Sequence, residues 1–262
     1  MVILRGQLVL LSLFSLASAT AQLTEEDSKQ RVSEFVRVKA GLKLDHFLRA
    51  TRHEDLEDQL FSAQIKIYGQ IRKGAHFYKL TETGYEVVSP TEAVLHGSTD
   101  GRRSWLVAID PASGDVFGLG GFGTEGQRSF NNLVVAARVR IDTKEASLNW
   151  AAFYVQAVLH EKADTLVTSE TDLRRRVEDI VEAYQLSRKR PISAKRWIES
   201  LERSKTAPVY GMKAMKEADG FRVVADFLAA TAAHNPQLVH LSFNVAGDGR
   251  VSDASTKPIF PH

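Results

Sequence analysis

Three closely spaced glycines, Gly118, Gly120 and Gly123, form the pattern G-x-G-x-x-G, which lets the backbone approach a pyrophosphate group. That chemistry requires a parallel strand before the glycines and a helix that opens directly after them. Here the glycines follow a predicted antiparallel hairpin, and residues 118–130 are polar and rich in glycine. We therefore predict a loop, either tightly turned or acting as a lid over a cleft, and no nucleotide or other cofactor.

The eight histidines of the chain do not occur at the spacing of a metal site. His160 and Glu161 begin a zincin-like motif, but Asp164 occupies the position of the second histidine ligand. Cysteine is absent, which excludes thiol nucleophiles and zinc–thiolate sites. We expect no metal, and we interpret His240, on the polar side of a predicted strand, as a candidate contact for a ligand or partner.

Serine hydrolases often carry the motif G-x-S-x-G or S-x-x-K, and neither occurs in this chain. Catalytic triads can nevertheless form from residues that are far apart in sequence. The sequence therefore assigns no catalytic residue. A hydrolase with dispersed catalytic residues stays open as the alternative to a binding protein.

A basic stretch runs from Arg188 to Lys205. Its cations could attract anionic lipid or weakly contact an anionic cell-envelope polymer, although Glu199 and Glu202 interrupt it. Its candidate contact residues are Arg188, Arg190, Lys195, Arg196 and Trp197. The whole chain has a formal net charge of only +2, which argues against nucleic acid as a partner.

Residues 1–21 have the organisation of a secretory signal peptide. Arg5 supplies a positive start, residues 8–17 are apolar, and Ala19-Thr20-Ala21 places small residues before the cleavage site. The apolar run is shorter than the roughly 20 residues that a membrane-spanning helix needs. We predict cleavage near Ala21–Gln22 and a secreted or periplasmic protein that is not integral to the membrane. A buried N-terminal helix or an uncleaved anchor is the alternative.

The mature chain is predicted to begin with helices. Thr24 is a good N-cap, and the acidic residues after it favour the positive end of a helix dipole. A second short helix is predicted through Leu44, Phe47 and Leu48. The acidic run Glu54–Asp58 indicates a solvated face or a loop.

Short strands follow, with residues 63–69, 75–81, 85–89 and 92–96 as candidates. The clearest unit is a hairpin that joins Ser104–Ile109 to Asp115–Phe117. Its connector has proline early and glycine late, which suits a tight antiparallel turn.

The residue pattern in the second half of the chain predicts helices followed by a meander of antiparallel strands. Asp142 is the predicted N-cap of a core helix over residues 145–159, and another helix begins near Ser169. A linker at residues 188–191 and a short helix at 194–201 follow. Four antiparallel strands are predicted at residues 208–215, 221–229, 238–245 and 251–256.

These elements predict an α+β fold: N-terminal helices with short antiparallel strands and a hairpin, two central core helices, and a C-terminal four-stranded antiparallel meander. Residues 22–140 and 141–262 form two predicted regions, which a shared core helix could join into one domain. We expect an exported protein that binds an unknown small ligand or an envelope protein without catalysis. The expected contact surfaces are the Gly118–Gly126 loop and the polar face of the C-terminal sheet.

Overall fold

The computed structural model describes residues 22–42, 47–62, 64–66, 75–83, 103–159, 166–185, 193–203, 207–230 and 236–259. Several sequence predictions lie outside these residues: the signal peptide, the strands at 85–89 and 92–96, the motif at His160–Asp164, and the linker with Arg188 and Arg190. Of the strand predicted at 63–69, residues 64–66 are described. Within it, Lys66 forms an isolated antiparallel bridge with Arg140.

In the described part of the chain, eight strands form two antiparallel sheets, and each sheet is ordered as its strands occur in the sequence. The first sheet contains β1 (Phe47–Arg52), β2 (His76–Thr83), β3 (Ser104–Ile109) and β4 (Val116–Gly118). The second sheet contains β5 (Lys213–Glu217), β6 (Gly220–Ala230), β7 (Pro236–Ala246) and β8 (Val251–Pro258). The hairpin and the C-terminal meander are therefore confirmed.

Six helices accompany these sheets over the same described ranges. They are α1 (Glu25–Lys39), α2 (Glu54–Ser62), α3 (Thr124–Ala137), α4 (Lys144–Tyr154), α5 (Glu170–Gln185) and α6 (Ala194–Arg203). A π-helical turn, Val155–Leu159, continues α4. The predicted α+β class is confirmed. None of the described helices is both long and apolar enough to cross a membrane.

Helix α1 begins at Thr24, as the sequence predicts. The Thr24 hydroxyl accepts a hydrogen bond from the backbone N–H of Asp27 at 3.1 Å, and the Asp27 carboxylate accepts one from the N–H of Thr24 at 3.3 Å. Val32 and Val36 on one side of the helix are fully buried against the first sheet. That sheet therefore has α1 on one face and the central core on the other.

The helix predicted through Leu44, Phe47 and Leu48 is wrong in its described part. Residues from Phe47 onward form β1, which pairs with β2 from Phe47↔Thr83 to Arg52↔Tyr78. The apolar spacing suited a helix, but a short isolated helix is only marginally stable. Pairing with β2 instead provides partners for the backbone N–H and C=O groups along the strand. Pairing within the sheet therefore overrides the local pattern.

The acidic run Glu54–Asp58 forms the first turns of α2 rather than a loop. Glu54, Asp55 and Asp58 are exposed, in keeping with a solvated face, whereas Glu57 is buried. Acidic residues in a first helical turn are favoured by the dipole, so the run starts a helix here.

Helix α4 lies at the centre of the molecule. Its N-cap is Thr143, whose hydroxyl accepts from the N–H of Ala146 at 3.1 Å. The prediction of Asp142 is wrong because its carboxylate instead accepts a hydrogen bond from Lys66 at 2.9 Å. Three aromatic residues of α4 are buried and contact Phe130 of α3: Trp150, Phe153 and Tyr154. Burial raises the pKa of Tyr154 to about 12.

One hydrophobic cluster joins the two predicted regions of the chain. It contains Phe77 and Leu106 of the first sheet, the aromatic residues of α3 and α4, and Val223 and Phe243 of the second sheet. Rings of Phe77 and Phe153 meet edge to face with centroids 5.7 Å apart, while Tyr154 contacts Phe243 at 5.1 Å. The two sheets therefore share their core with α4.

The second sheet alternates apolar and polar residues as predicted, except at its start. The strand predicted at residues 208–215 begins only at Lys213. Before it, the N–H of Val209 donates to the Asp226 carboxylate at 2.7 Å, and Gly211 has a φ of 70°. Both features direct this segment away from a sheet ladder.

The outer edge of β8 is protected from pairing with another strand. At Val251 the carbonyl accepts from Gln127 and Asn131 at 3.1 and 3.0 Å, and the N–H donates to Asn131 at 2.9 Å. Asp253, with a φ of 51°, lies in a register shift, and Pro258 has no N–H to donate. These features suppress edge-to-edge association.

Neighbouring valines on α3 provide a test of the shared core. Val134 is 1% exposed and Val135 is 61% exposed. Val134→Ala is expected to lower the free energy of unfolding by about 2 kcal/mol because it removes two buried methyl groups. The same substitution at Val135 should change it by less than about 0.5 kcal/mol. Urea denaturation of both variants checks this, and equal effects would contradict the packing of α3.

Candidate functional site

The segment predicted as a loop at residues 118–130 is a short turn followed by a helix. Gly118 ends β4, and α3 begins at Thr124 directly after Gly123, which has a φ of 57°. The prediction of a loop is wrong from Thr124 onward. Apolar residues later in α3, including Phe130 and Val134, bury one side of the helix, and this packing outweighs the weak local helix signal.

Two glycines of this turn are required by close packing. A Cβ atom on Gly118 would lie 2.9 Å from the Phe122 ring, and one on Gly121 would lie 2.7 Å from the Ser104 carbonyl oxygen. Gly121 also has a φ of 83°, which favours glycine. The Phe122 ring in turn meets Phe35 of α1 edge to face at 5.9 Å. The glycines therefore serve close packing of a turn, and the strand before them, β4, pairs antiparallel with β3.

A cleft of about 620 Å³ opens beside this turn. We call it the glycine-turn cleft; its lining residues are Lys39, Ala40, Arg103, Ser104, Trp105, Gly121, Phe122 and Glu125. They come from the end of α1, the start of β3, the turn and the start of α3. Because these elements are remote in sequence, no local pattern could have identified the cleft apart from its glycines.

The charges of the glycine-turn cleft are unevenly neutralised. The Lys39 ammonium lies 3.8 Å from a Glu125 carboxylate oxygen, and both side chains are about half exposed, at 49% and 60%. Arg103 is exposed and has no ion-pair partner among the residues that the structure describes. The cleft can therefore offer a guanidinium and a loosely paired ammonium to an anionic group.

His240 lies on the outer face of the second sheet, opposite Asp226 of β6. Its Nδ1 is 2.7 Å from an Asp226 carboxylate oxygen, and the other Asp226 oxygen accepts from the N–H of Val209. Asp226 is fully buried, whereas the His240 side chain is 31% exposed. A buried carboxylate that accepts from Nδ1–H leaves Nε2 as the free nitrogen of the neutral ring.

The same face carries a hydrogen-bonded group of polar side chains around Arg222. Its guanidinium donates to Asn244 and Ser242, each at 3.2 Å. Ser242 lies 3.0 Å from the hydroxyl of Ser255, and the Asn244 amide donates to Asp253 at 3.0 Å. We call the polar residues on the side of β6, β7 and β8 opposite the central core the polar sheet face; it comprises Arg222, Asp226, His240, Ser242, Asn244, Asp253 and Ser255.

The described residues of the predicted basic stretch lie on α6. Lys195 and Arg196 are exposed, and Lys195 lies 3.9 Å from Glu199 one turn away. Trp197 is only 2% exposed, and its indole N–H donates to the Pro236 carbonyl at 2.8 Å. The tryptophan therefore belongs to the packing between α6 and the second sheet. The sequence could not separate this role from surface contact, because both use an amphipathic helix.

A third group of ionisable residues joins α2 to the first sheet. Arg52 donates to both oxygens of Glu57, at 3.0 and 2.8 Å, and to Nδ1 of His76 at 2.7 Å. Because arginine has only donors, the Nδ1 of His76 is the acceptor in this contact. No buried side-chain nitrogen or oxygen of Arg52, Glu57 or His76 lacks a hydrogen-bond partner, which indicates a structural role.

Glu57 has a pKa below its usual value. Burial acts to raise this pKa, but hydrogen bonds from Arg52 and from the backbone N–H of Phe77 outweigh burial.

Comparison of the chain with protein-family models, with curated proteins and with solved structures finds no match. Within the described ranges, no group of three or more His, Asp or Glu side chains is arranged to hold a metal ion. The site assignments therefore rest on the geometry above.

The ion pair of Glu57 has a testable pH dependence. Because folding lowers its pKa, its stabilisation is present above the unfolded value of about 4.3 and is lost as the pH falls through the folded value. Glu57→Gln should lower the free energy of unfolding by about 2 kcal/mol at neutral pH. The difference in the free energy of unfolding between this variant and the wild type should become smaller below about pH 4.

Urea denaturation across this pH range measures the effect. The exposed Glu54 in the first turn of α2 is the control, and Glu54→Gln should change stability by less than about 0.5 kcal/mol. The ion pair would be contradicted if the free energies of unfolding of wild type and Glu57→Gln differed by the same amount at every pH.

Proposed function

We propose that this chain is an exported, non-catalytic binding protein whose small ligand occupies the glycine-turn cleft. The observation that carries the proposal is an exposed guanidinium without an ion-pair partner in the described chain, that of Arg103, in the same cleft as the Phe122 ring. Binding pockets characteristically combine apolar or aromatic surface with a few polar groups that orient the ligand.

The lining favours a ligand with one anionic group and an apolar or aromatic body. Arg103 can donate two parallel hydrogen bonds to a carboxylate, and Lys39 adds positive charge nearby. The Phe122 ring offers a surface for the apolar part and is itself held by Phe35. Glu125 would repel a second anionic group, which favours a singly charged ligand.

Export is part of the proposal and rests on the N-terminal sequence. Residues 1–21 combine a positive start, an apolar run and small residues before Gln22, the order that a signal peptidase processes. The absence of cysteine from the full sequence is compatible with an oxidising compartment, because the large shared core does not need disulfides for stability.

Native mass spectrometry tests export and binding together. Protein expressed from the full-length gene and recovered from the extracytoplasmic fraction should have the mass of a chain that starts at Gln22. It should also retain a small additional mass under gentle ionisation. Retention of residues 1–21 would contradict export, and a bare mature chain would favour an envelope protein as the partner instead of a small ligand.

Substitutions then test whether the ligand that adds this mass binds in the glycine-turn cleft. Arg103→Ala should lower the affinity about tenfold, since it removes charge-assisted hydrogen bonds. Arg128→Ala is the matched control because Arg128 is an exposed arginine of α3 outside the lining of the cleft. Equal occupancy in Arg103→Ala and wild type would place the ligand elsewhere.

A second candidate function, an extracytoplasmic hydrolase, is favoured by the Asp226–His240 pair. A buried carboxylate that orients an imidazole is one part of the machinery of general-base catalysis. In the described chain, no hydroxyl is recorded as a hydrogen-bond partner of His240 Nε2, so the pair lacks a nucleophile of its own. For this reason we rank catalysis second.

Hydrolysis of chromogenic esters and phosphoesters distinguishes the two functions. If the protein is a hydrolase, His240→Gln should reduce turnover about 100-fold or more, the usual contribution of a general base. Under the binding function, neither wild type nor variant should exceed the rate in buffer. Turnover that depends on His240 would overturn the leading proposal.

A further inference from the structure

We propose that the polar sheet face is a second binding site, which takes a phosphoryl group through Arg222. This inference is independent of the glycine-turn cleft. The cleft is built from α1, β3 and α3, whereas the polar sheet face belongs to the second sheet.

The argument begins with the partners of Arg222. Its guanidinium is half-buried and donates to a hydroxyl, that of Ser242, and to an amide oxygen, that of Asn244. Both partners are neutral, and the structure records no ion pair for Arg222 in the described residues. A guanidinium has five N–H donors, so these two contacts leave three donors and the full positive charge available.

The side chains that hold Arg222 are themselves held in place. Ser242 shares a hydrogen bond with Ser255 of β8, and the Asn244 amide donates to Asp253 of the same strand. Their strands pair along most of their length, from Val239↔Pro258 to Val245↔Val251. A guanidinium fixed in this way loses less conformational entropy when it binds an anion, which improves affinity.

The surrounding charge favours an anion over a cation. Lys213 pairs with Val224 across β5 and β6, and Lys257 pairs with His240 across β7 and β8, so both lysines extend from the same side of the sheet as Arg222. The exposed Glu217, across from Gly220 at the end of β5, adds one carboxylate to this side. The other two carboxylates are paired: Asp226 with His240, and Asp253, which accepts from Asn244 and Ser252. Their negative charge is therefore already partly compensated by hydrogen bonds.

A phosphoryl dianion suits this arrangement better than a carboxylate. Its three terminal oxygens can accept from several directions, and here the donors come from different strands: Arg222 on β6 and the Ser255 hydroxyl on β8. Strand β7 lies between these two strands, and its Ser242 hydroxyl contacts both Arg222, at 3.2 Å, and Ser255, at 3.0 Å. The two donors are therefore close enough for one compact tetrahedral group to reach both. A planar carboxylate would use one edge of the guanidinium only.

Calorimetric titration of the folded chain with inorganic phosphate and with phenyl phosphate tests the proposal, and acetate serves as the comparison anion. Saturable one-to-one binding of inorganic phosphate or phenyl phosphate, tighter than that of acetate, supports it. If phenyl phosphate alone binds, the phosphoryl group belongs to an organic ligand; if both bind, free phosphate is sufficient. Acetate binding as tight as phosphate binding would overturn the preference for a phosphoryl group.

Variants assign the binding to Arg222. Arg222→Ala should weaken phosphate binding about tenfold or more, and Arg222→Lys should weaken it less, because lysine keeps the charge but loses the planar fork. Arg250→Ala is the matched control: Arg250 is exposed, lies on the turn before β8 and pairs with Asp248 at 2.7 Å. Thermal unfolding confirms that each variant is folded.

If Arg222→Ala does not fold, Arg222→Lys with an unchanged melting temperature and weaker phosphate binding supports the assignment. Unchanged phosphate affinity in a folded Arg222→Ala or Arg222→Lys variant would overturn it, as would an equal loss of affinity in Arg250→Ala.

Discussion

The fold depends on the burial of helix α4 between the two antiparallel sheets. Its aromatic residues contact Phe130 of α3, while the neighbouring rings of Phe77 and Phe243 come from opposite sheets. The apolar inner faces of both sheets are buried in one cluster with this helix, because an antiparallel sheet needs a second layer to bury one side. The helix therefore sets the distance between the sheets and leaves the outer face of the second sheet free for polar residues.

Both candidate sites are consequences of this arrangement. The glycine-turn cleft forms where α3 leaves the first sheet, because Phe122 must pack on Gly118 before the helix can reach α4. The polar sheet face forms because the inner side chains of β6 and β7, such as Val223 and Phe243, face the core and the alternate residues face outward. Helices α5 and α6 cover only the far end of that face, near Leu228 and Leu238.

Much of the fold could be predicted from local signals. The capped start of α1 at Thr24, the hairpin around residues 110–114 and the last three strands all follow from side-chain chemistry within a few residues. The errors share one cause. Phe47 and Leu48 have helical apolar spacing but pair with β2, and residues after Gly123 lack a strong helix signal but are buried against the core. Distant partners decided these segments.

The sequence by itself determined the α+β class, the main periodic elements and the positions of glycine in a tight turn, because each depends on nearest-neighbour backbone geometry. It also drew attention to His240 and to residues 118–126. Only the tertiary structure decided that Arg103 lies with Phe122 in a cleft, that Trp197 is buried, and that Arg222 has neutral partners. Such groupings join residues from remote elements, and their electrostatics depend on burial and distance, which no local pattern records.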